Sequence, residues 1–251
     1  MRKPYFSIII PTLNEEKFLP VLLTDLAEQS WADFEVIHVD GGSDDRTNTI
    51  AKRFAKQLKL KQVMTDKKNV SHQRNLGAEV ANGEWIIFMD ADVGLSPDFL
   101  LFLRYRIAKN GKKKKPFDVF SCQIQLNADD KKKLKHLLAK QTVNLRLAST
   151  AGGDKPKLFG AMIGVRSQLF GAVRFDEKMK FAEDIRFVSD LIEMNSEYEL
   201  LSTPKYQYSM RRWDDTNILT NTAKTAKLEL QMMFGDDYAD VKYDMNGGTR
   251  Y

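Results

Sequence analysis

Trp85-Ile86-Ile87-Phe88-Met89-Asp90-Ala91-Asp92 is the stretch on which the reading of this chain turns. Five consecutive apolar residues, bounded on both sides by turn or polar signals, predict a strand buried on both faces. Two carboxylates at i and i+2 emerge where that strand ends. On extended backbone they project to the same side. Such a pair is a hard-oxygen site suited to Mg2+ or Mn2+, cations that keep several waters and bridge to substrate phosphates. Alone, an Asp-X-Asp is more often a solvated turn, so its weight depends on its surroundings.

Upstream, strand and helix signals alternate. Phe6 to Ile10 is a β-branched strand, and Leu19, Leu22, Leu23 and Leu26 form the stripe of an amphipathic helix. Phe34 to Val39 is a second strand. Ile50, Ala51, Phe54 and Leu58 stripe a second helix, with Asp44 or Asp45 as its N-cap. A short strand near Lys61 to Met64 and a helix around His72 to Val80 precede the Asn82-Gly83 turn. Pro97 then opens a helix that runs to about Asn110. This βαβα alternation predicts an α/β fold with a mostly parallel sheet and helices on both faces.

Downstream, the pattern is less regular. Val119 to Gln125 reads as a strand. Asp129 to about Arg146 reads as a basic amphipathic helix with Leu134, Leu137, Leu138, Gln141 and Leu145 on one face. Gly160 to Val165 is a short apolar segment, and Ala182 to Met194 a helix whose Ile185, Val188, Leu191 and Ile192 face the core. No repeat or Pro/Ser-rich linker interrupts the chain. One domain is expected over 1–235, its nucleotide-binding half at 1–110 and its acceptor-side half at 111–235. Residues 236–251 read as a polar tail.

Of 251 residues, 43 % are hydrophobic and 29 % charged, ordinary values for a soluble globular protein. The net charge of +5 is concentrated in Lys112 to Lys115 and Lys131 to Lys135. Runs of this kind are usually solvated faces; the alternatives are an anionic membrane surface, a phosphorylated acceptor or nucleic acid. Cys122 is the only cysteine, which excludes an intrachain disulfide and a cysteine-based zinc cluster and suits a reducing cytosol. No apolar run approaches the ~18–20 residues of a membrane span. A cytoplasmic location is expected, with peripheral contact at the inner membrane surface allowed and no role for nucleic acid. His38 reads as a satisfied strand histidine, His72 as a helix N-terminal residue and His136 as solvated.

In a parallel sheet, ligands bind beyond the carboxyl ends of the strands. The first strand ends in Pro11-Thr12-Leu13-Asn14-Glu15 and the second in Asp40-Gly41-Gly42-Ser43-Asp44. With Asp90-Ala91-Asp92 these place three polar sets on one sheet edge, the arrangement of a metal–nucleotide site. Together with Arg74-Asn75-Leu76-Gly77-Ala78, they resemble family 2 glycosyltransferases of the GT-A fold. The resemblance covers roughly residues 5 to 215, most tightly up to Pro97. It implies a UDP- or GDP-linked sugar donor, with Asp40 contacting the nucleoside and Pro11, Thr12 and Glu15 lining its pocket. It also implies Asp92 on a Mn2+ or Mg2+ ion at the diphosphate, with Asp90 at the ribose or in the outer shell of that ion. Arg74 would help order the diphosphate; a surface salt bridge is its alternative.

Phe181-Ala182-Glu183-Asp184-Ile185-Arg186 resembles the family's Glu-Asp motif, which implies Asp184 as the base that deprotonates an acceptor hydroxyl. The plainer reading is two acids favoured in a helix first turn. The segment with Gly160 and Ala161 resembles the family's small-residue stretch beside the acceptor, where Glu183 also belongs. Ser209-Met210-Arg211-Arg212-Trp213 departs from the processive pattern Gln-x-x-Arg-Trp, having Ser in place of Gln. That departure, with no transmembrane helices following, implies transfer of a single sugar. Arg211 or Arg212 would neutralise the leaving diphosphate and Trp213 would stack on the acceptor, with simple packing as the alternative for each. The implied activity is inverting and metal-dependent, toward a glycan, glycolipid or polyprenyl-phosphate acceptor. The competing readings are a non-catalytic sugar-nucleotide binder and a phosphohydrolase of the haloacid dehalogenase type.

Overall fold

Every residue of β1 (Phe6–Thr12), β2 (Phe34–Asp40) and β4 (Trp85–Met89) is buried. Runs this apolar are stable only inside a sheet covered on both faces. The computed structural model, which describes residues 3–127, 130–150, 160–179 and 182–209, places them there. With β3 (Leu60–Met64), β5 (Val93–Gly94), β6 (Val119–Gln125), β7 (Met162–Arg166) and β8 (Tyr198–Tyr208) they form one sheet, ordered β3-β2-β1-β4-β7-β6-β8-β5. The first four strands in that order are parallel to one another. Beyond them the sheet is mixed: β7 runs antiparallel to both β4 and β6, while β6 and β8 are parallel.

The two-residue period of the strands sorts their side chains between two cores. Ile8, Ile10 and Ile87 meet α1 (Leu19–Ala27), α2 (Thr47–Phe54), α4 (Phe99–Asn110) and α5 (Leu134–Thr150) on one face. Ile9, Ile37 and Phe88 meet α3 (Val70–Glu79) and α6 (Glu183–Glu193) on the other. There Phe175 and Phe187 stack with centroids 4.1 Å apart, and Phe88 meets Phe175 edge-on at 4.9 Å.

Several elements differ from the sequence reading. The second helix starts at Thr47, after Arg46, and ends before Leu58. Asp45 still serves its start, since its Oδ1 accepts the Thr47 N–H at 2.9 Å. Pro97 lies two residues ahead of α4. α5 begins at Leu134, after a 3-10 turn over Asp130–Lys132, and its leucine stripe faces outward. His136, Ala139, Val143 and Leu147 are buried, while Leu134, Leu137, Leu138 and Leu145 are exposed. His136 is therefore a core residue, 2.9 Å from Asp130, and not a solvated one. β8 is an addition. Leu201 pairs with Cys122 and Tyr206 with Ile124, so a bulge takes up residues 202–205 and gives Pro204 a place outside the regular ladder.

α3 lies close on β1 because Gly77 has no side chain. A Cβ there would stand 2.4 Å from Ile9 Cγ2 and 3.1 Å from Val39 Cγ2. Gly77→Ala gains about 1 kcal/mol of helix propensity, but the overpacking costs about 1–3 kcal/mol. Because Ile9 is a fully buried, branched strand residue, the clash is expected to win. Thermal denaturation should show a lower midpoint for the alanine variant; an unchanged or raised midpoint would contradict the close packing.

Candidate active site

The parallel β2-β1-β4 order sets the carboxyl ends Thr12, Asp40 and Met89 side by side, so the three predicted sets do share one edge. The antiparallel return of β7 brings Gly160 and Ala161 to the same edge, where Ala161 O accepts the Asp90 N–H at 3.0 Å.

The loops after β1 and β2 are laced together. Asn14, in the left-handed region at φ 56°, donates its N–H to Ser43 Oγ at 2.9 Å and accepts the Asp44 N–H through Oδ1 at 2.9 Å. Glu15 is buried, and its N–H donates to Thr47 Oγ1 at 2.8 Å. Gln73 of α3 closes the arrangement, donating Nε2 to Thr12 O at 2.7 Å and Val39 O at 2.9 Å. Gln73 escaped the sequence reading; its only signal was its place beside Arg74.

Asp40 is fully buried and its carboxylate is spent within this floor. Oδ2 accepts the Gly42 N–H at 3.0 Å, the Ser43 N–H at 2.8 Å and Asn48 Nδ2 at 2.9 Å. Oδ1 accepts the hydroxyls of Ser43 at 2.5 Å and Thr12 at 3.1 Å. Burial alone would raise its pKa, but these bonds from Ser43, Asn48 and Thr12 outweigh it and hold the group below its ordinary value. These bonds make the Asp40 side chain shape the Gly42–Ser43 backbone at the end of β2. Thr12 is equally engaged. Its single hydroxyl proton goes to Asp40, so His38 Nε2, 2.8 Å away, must be the donor to Thr12. Burial lowers the pKa of His38 to about 4, against the pull of Asp40, which keeps the ring neutral and fits its reading as a satisfied strand histidine.

The second cluster is built around Arg74. This side chain is buried, which removes the surface-salt-bridge reading. Nη1 donates to Glu183 Oε1 at 2.8 Å; Nη2 lies 3.4 Å from Asp90 Oδ1 and 3.4 Å from Gly160 O. Its guanidinium also stands over the Phe175 ring, 5.1 Å from the centroid. One cation therefore joins the carboxylate edge of β4 to the first turn of α6. The loop ahead of α6 is fastened to α3 as well. Asn75 exchanges hydrogen bonds with the Phe175 backbone at 2.9 and 3.0 Å, while Glu177 is held by Lys67, His72 and Asn75. His72 thus binds the loop as well as standing near the start of its helix.

Ala182, at φ 58°, turns the chain into α6 through a left-handed conformation that costs an alanine about 1–2 kcal/mol. Strain of this kind gathers where a neighbouring group must be aimed. Asp184 follows, its Oδ1 accepting the Ile185 N–H at 2.8 Å. A Cβ on Gly160 would fall 2.3 Å from Asp184 Oδ2, so the absent side chain is what admits this carboxylate. Burial first, then the Glu183 charge, pushes the pKa of Asp184 up to about 7, against the lowering pull of Arg74. A carboxylate poised there is suited to proton transfer near neutrality.

Asp90 and Asp92 are both part-exposed at the end of β4. Among the described residues, no three His, Cys, Asp or Glu side chains form a group that could hold a metal ion on their own. Asp90 and Asp92 have the hard-oxygen chemistry that suits Mg2+ or Mn2+, cations that take their remaining ligands from substrate phosphate and water. Arg212 and Trp213 lie outside the described residues.

A family model described as glycosyl transferase family 2 matches residues 7–152, more than half of the chain. The chain belongs to this family. A PGL/p-HBAD biosynthesis glycosyltransferase of Mycobacterium tuberculosis is 44 % identical over 98 residues, which is 38 % of this chain and 38 % of that protein. The poly(ribitol-phosphate) beta-N-acetylglucosaminyltransferase TarS of Staphylococcus aureus is 38 % identical over 91 residues, 35 % of this chain and 16 % of TarS. The chain thus spans well under half the length of the curated relatives it matches in sequence. A TarS fragment in complex with UDP superposes with a TM-score of 0.66 at 25 % identity, over 83 % of this chain and 60 % of that one. The mannosyltransferase PcManGT of Pyrobaculum calidifontis, solved with GDP-Man and Mn2+, shares the fold. Its TM-score is 0.70 at 19 % identity, over 97 % of this chain and 67 % of that one. The sheet and its helices are those of the GT-A glycosyltransferase fold, and no described helix of this family member is long and apolar enough to cross a membrane.

Proposed function

We propose that this chain transfers one sugar from a UDP- or GDP-linked donor to an acceptor hydroxyl or lipid phosphate in a single inverting displacement, with Asp184 as the base where the acceptor is a hydroxyl. The observation that carries the proposal is Arg74, whose guanidinium ties Asp90 on the diphosphate side to Glu183, the neighbour of Asp184, on the acceptor side. Donor and acceptor would meet across that one buried cation. Pro11, Thr12 and Glu15 line the nucleoside pocket, with Asp40 as the nucleoside contact beside the Gly42–Ser43 backbone that it folds. Asp92, with Asp90, would hold Mn2+ or Mg2+, which when bound draws charge from the departing diphosphate.

Asp184 holds the acceptor hydroxyl at its open oxygen and takes the proton as the hydroxyl oxygen attacks the anomeric carbon. Gly160 and Ala161 leave room for that acceptor, and burial of the carboxylate keeps its proton affinity high enough for the transfer. Arg212 and Trp213 remain assigned to the leaving group and the acceptor by resemblance. Ser209, in place of the processive Gln, supports single transfer. The acceptor class is a glycan, glycolipid or polyprenyl phosphate; one relative is named for transfer to poly(ribitol-phosphate).

Thermal shift with UDP, GDP and their sugar conjugates, in the presence of Mn2+, tests this reading. A ligand at a hundredfold its dissociation constant stabilises by about 2.7 kcal/mol. One nucleotide series should raise the midpoint, and release of nucleotide from its sugar conjugate should stop with chelator and return with Mn2+ or Mg2+. No shift with any nucleoside diphosphate would overturn the proposal.

A further inference from the structure

α5 carries its large apolar residues on the wrong side for a helix that covers a sheet. Its inner face is His136, Ala139, Val143 and Leu147, which pack over β6. Its outer face is Leu134, Leu137, Leu138, Gln141, Thr142, Leu145 and Ala148, an arc without a single charged residue. Leu134 is 71 % exposed and Leu145 70 %. An ordinary surface helix shows the reverse pattern, charged outward and apolar inward.

α4 lies on the same face of the sheet, over β8, the strand that neighbours β6. It repeats the feature, with Tyr105 62 % and Phe102 49 % exposed beside an exposed Leu101. Neither helix contains an Asp or a Glu along its whole length. Around them stand exposed lysines: Lys109 and Lys112 at the end of α4, and Lys131, Lys132 and Lys133 ahead of α5. Lys113 and Lys115 of the same run are paired with Glu199 and Glu197.

We infer that the outer face of α4 and α5 docks on an anionic lipid bilayer, with the leucines and aromatics entering the headgroup–acyl boundary and the lysines meeting the lipid charge. Apolar residues flanked by Lys, with an aromatic at the rim, are the composition that partitions into that boundary. A second copy of the chain fits less well, because a twofold contact would set two equally basic, acid-free faces against each other. The inference concerns where the protein sits. It stands independently of the transfer chemistry.

Flotation of the full chain, without donor, on phosphatidylcholine vesicles with and without phosphatidylglycerol is the test. Binding is expected to the phosphatidylglycerol vesicles and to weaken with salt. The double substitution Leu138→Glu, Leu145→Glu should weaken it on the order of tenfold or more while leaving the thermal midpoint and nucleotide binding unchanged. Replacing Lys131, Lys132 and Lys133 by Ser should weaken binding chiefly at low salt. Absence of flotation at low salt overturns the inference. So does a dimer that the Glu substitutions dissociate, as does a loss of thermal stability in the double variant, which would show that the leucines are covered within the chain.

Discussion

Asp184→Asn is expected to lose transfer by roughly a hundredfold to ten-thousandfold, the usual worth of a positioned base, while donor binding survives. The exchange is nearly isosteric, and an amide oxygen still accepts the Ile185 N–H, so α6 keeps its start. Wild-type turnover should rise with pH and level off above about 7, since the base works only when ionised and burial holds its proton affinity up. The stability effect has the opposite sign. The folded pKa of Asp184 lies above the unfolded value, so the stability it contributes is present in acid and is lost as pH rises through about 7. The asparagine variant lacks that loss, so above neutral pH its thermal midpoint should equal or exceed that of the parent. Activity down with stability up separates a base from a structural acid. An active asparagine variant would end the assignment.

Arg74→Met should do the reverse and weaken the fold itself. It would remove the cation from Glu183 at 2.8 Å and Asp90 at 3.4 Å, and leave Asp184 next to Glu183 without its one lowering charge. Breaking a buried ion pair from one side costs about 3–5 kcal/mol, which in a domain of this size is a midpoint lower by on the order of 10 °C. The deficit should grow with pH, as repulsion among the carboxylates is greatest when all are ionised. Arg74→Lys keeps the charge but not the fork that reaches two partners at once, so it should recover only part of the loss. A methionine variant as stable as the parent would mean that the guanidinium does not neutralise this cluster.

The parallel half of the sheet and its edge were legible because the covered strands are rich in apolar, β-branched residues and alternate with helical stripes and turn residues. Asp90, Arg74 and Asp184 could be named from their motifs, yet nothing local showed that one guanidinium spans from Asp90 to the first turn of α6. That geometry needs α3 close on β1, which Gly77 permits, and β7 returning antiparallel to deliver Gly160. Asp40 shows the converse: its place at a strand end was legible, but not the five hydrogen bonds it accepts, three from the turn behind it, one from Thr12 on β1 and one from Asn48 on α2.

By itself, then, the sequence determined which segments are strands of a covered parallel sheet, and that its polar sets gather at one end. Strand alternation and turn residues are local, and the parallel crossovers admit few arrangements. The tertiary structure decided which side of α5 faces out. Its leucine stripe and its smaller His136-Ala139-Val143-Leu147 stripe have the same helical period, and only the space above β6, filled by the smaller set, distinguishes them.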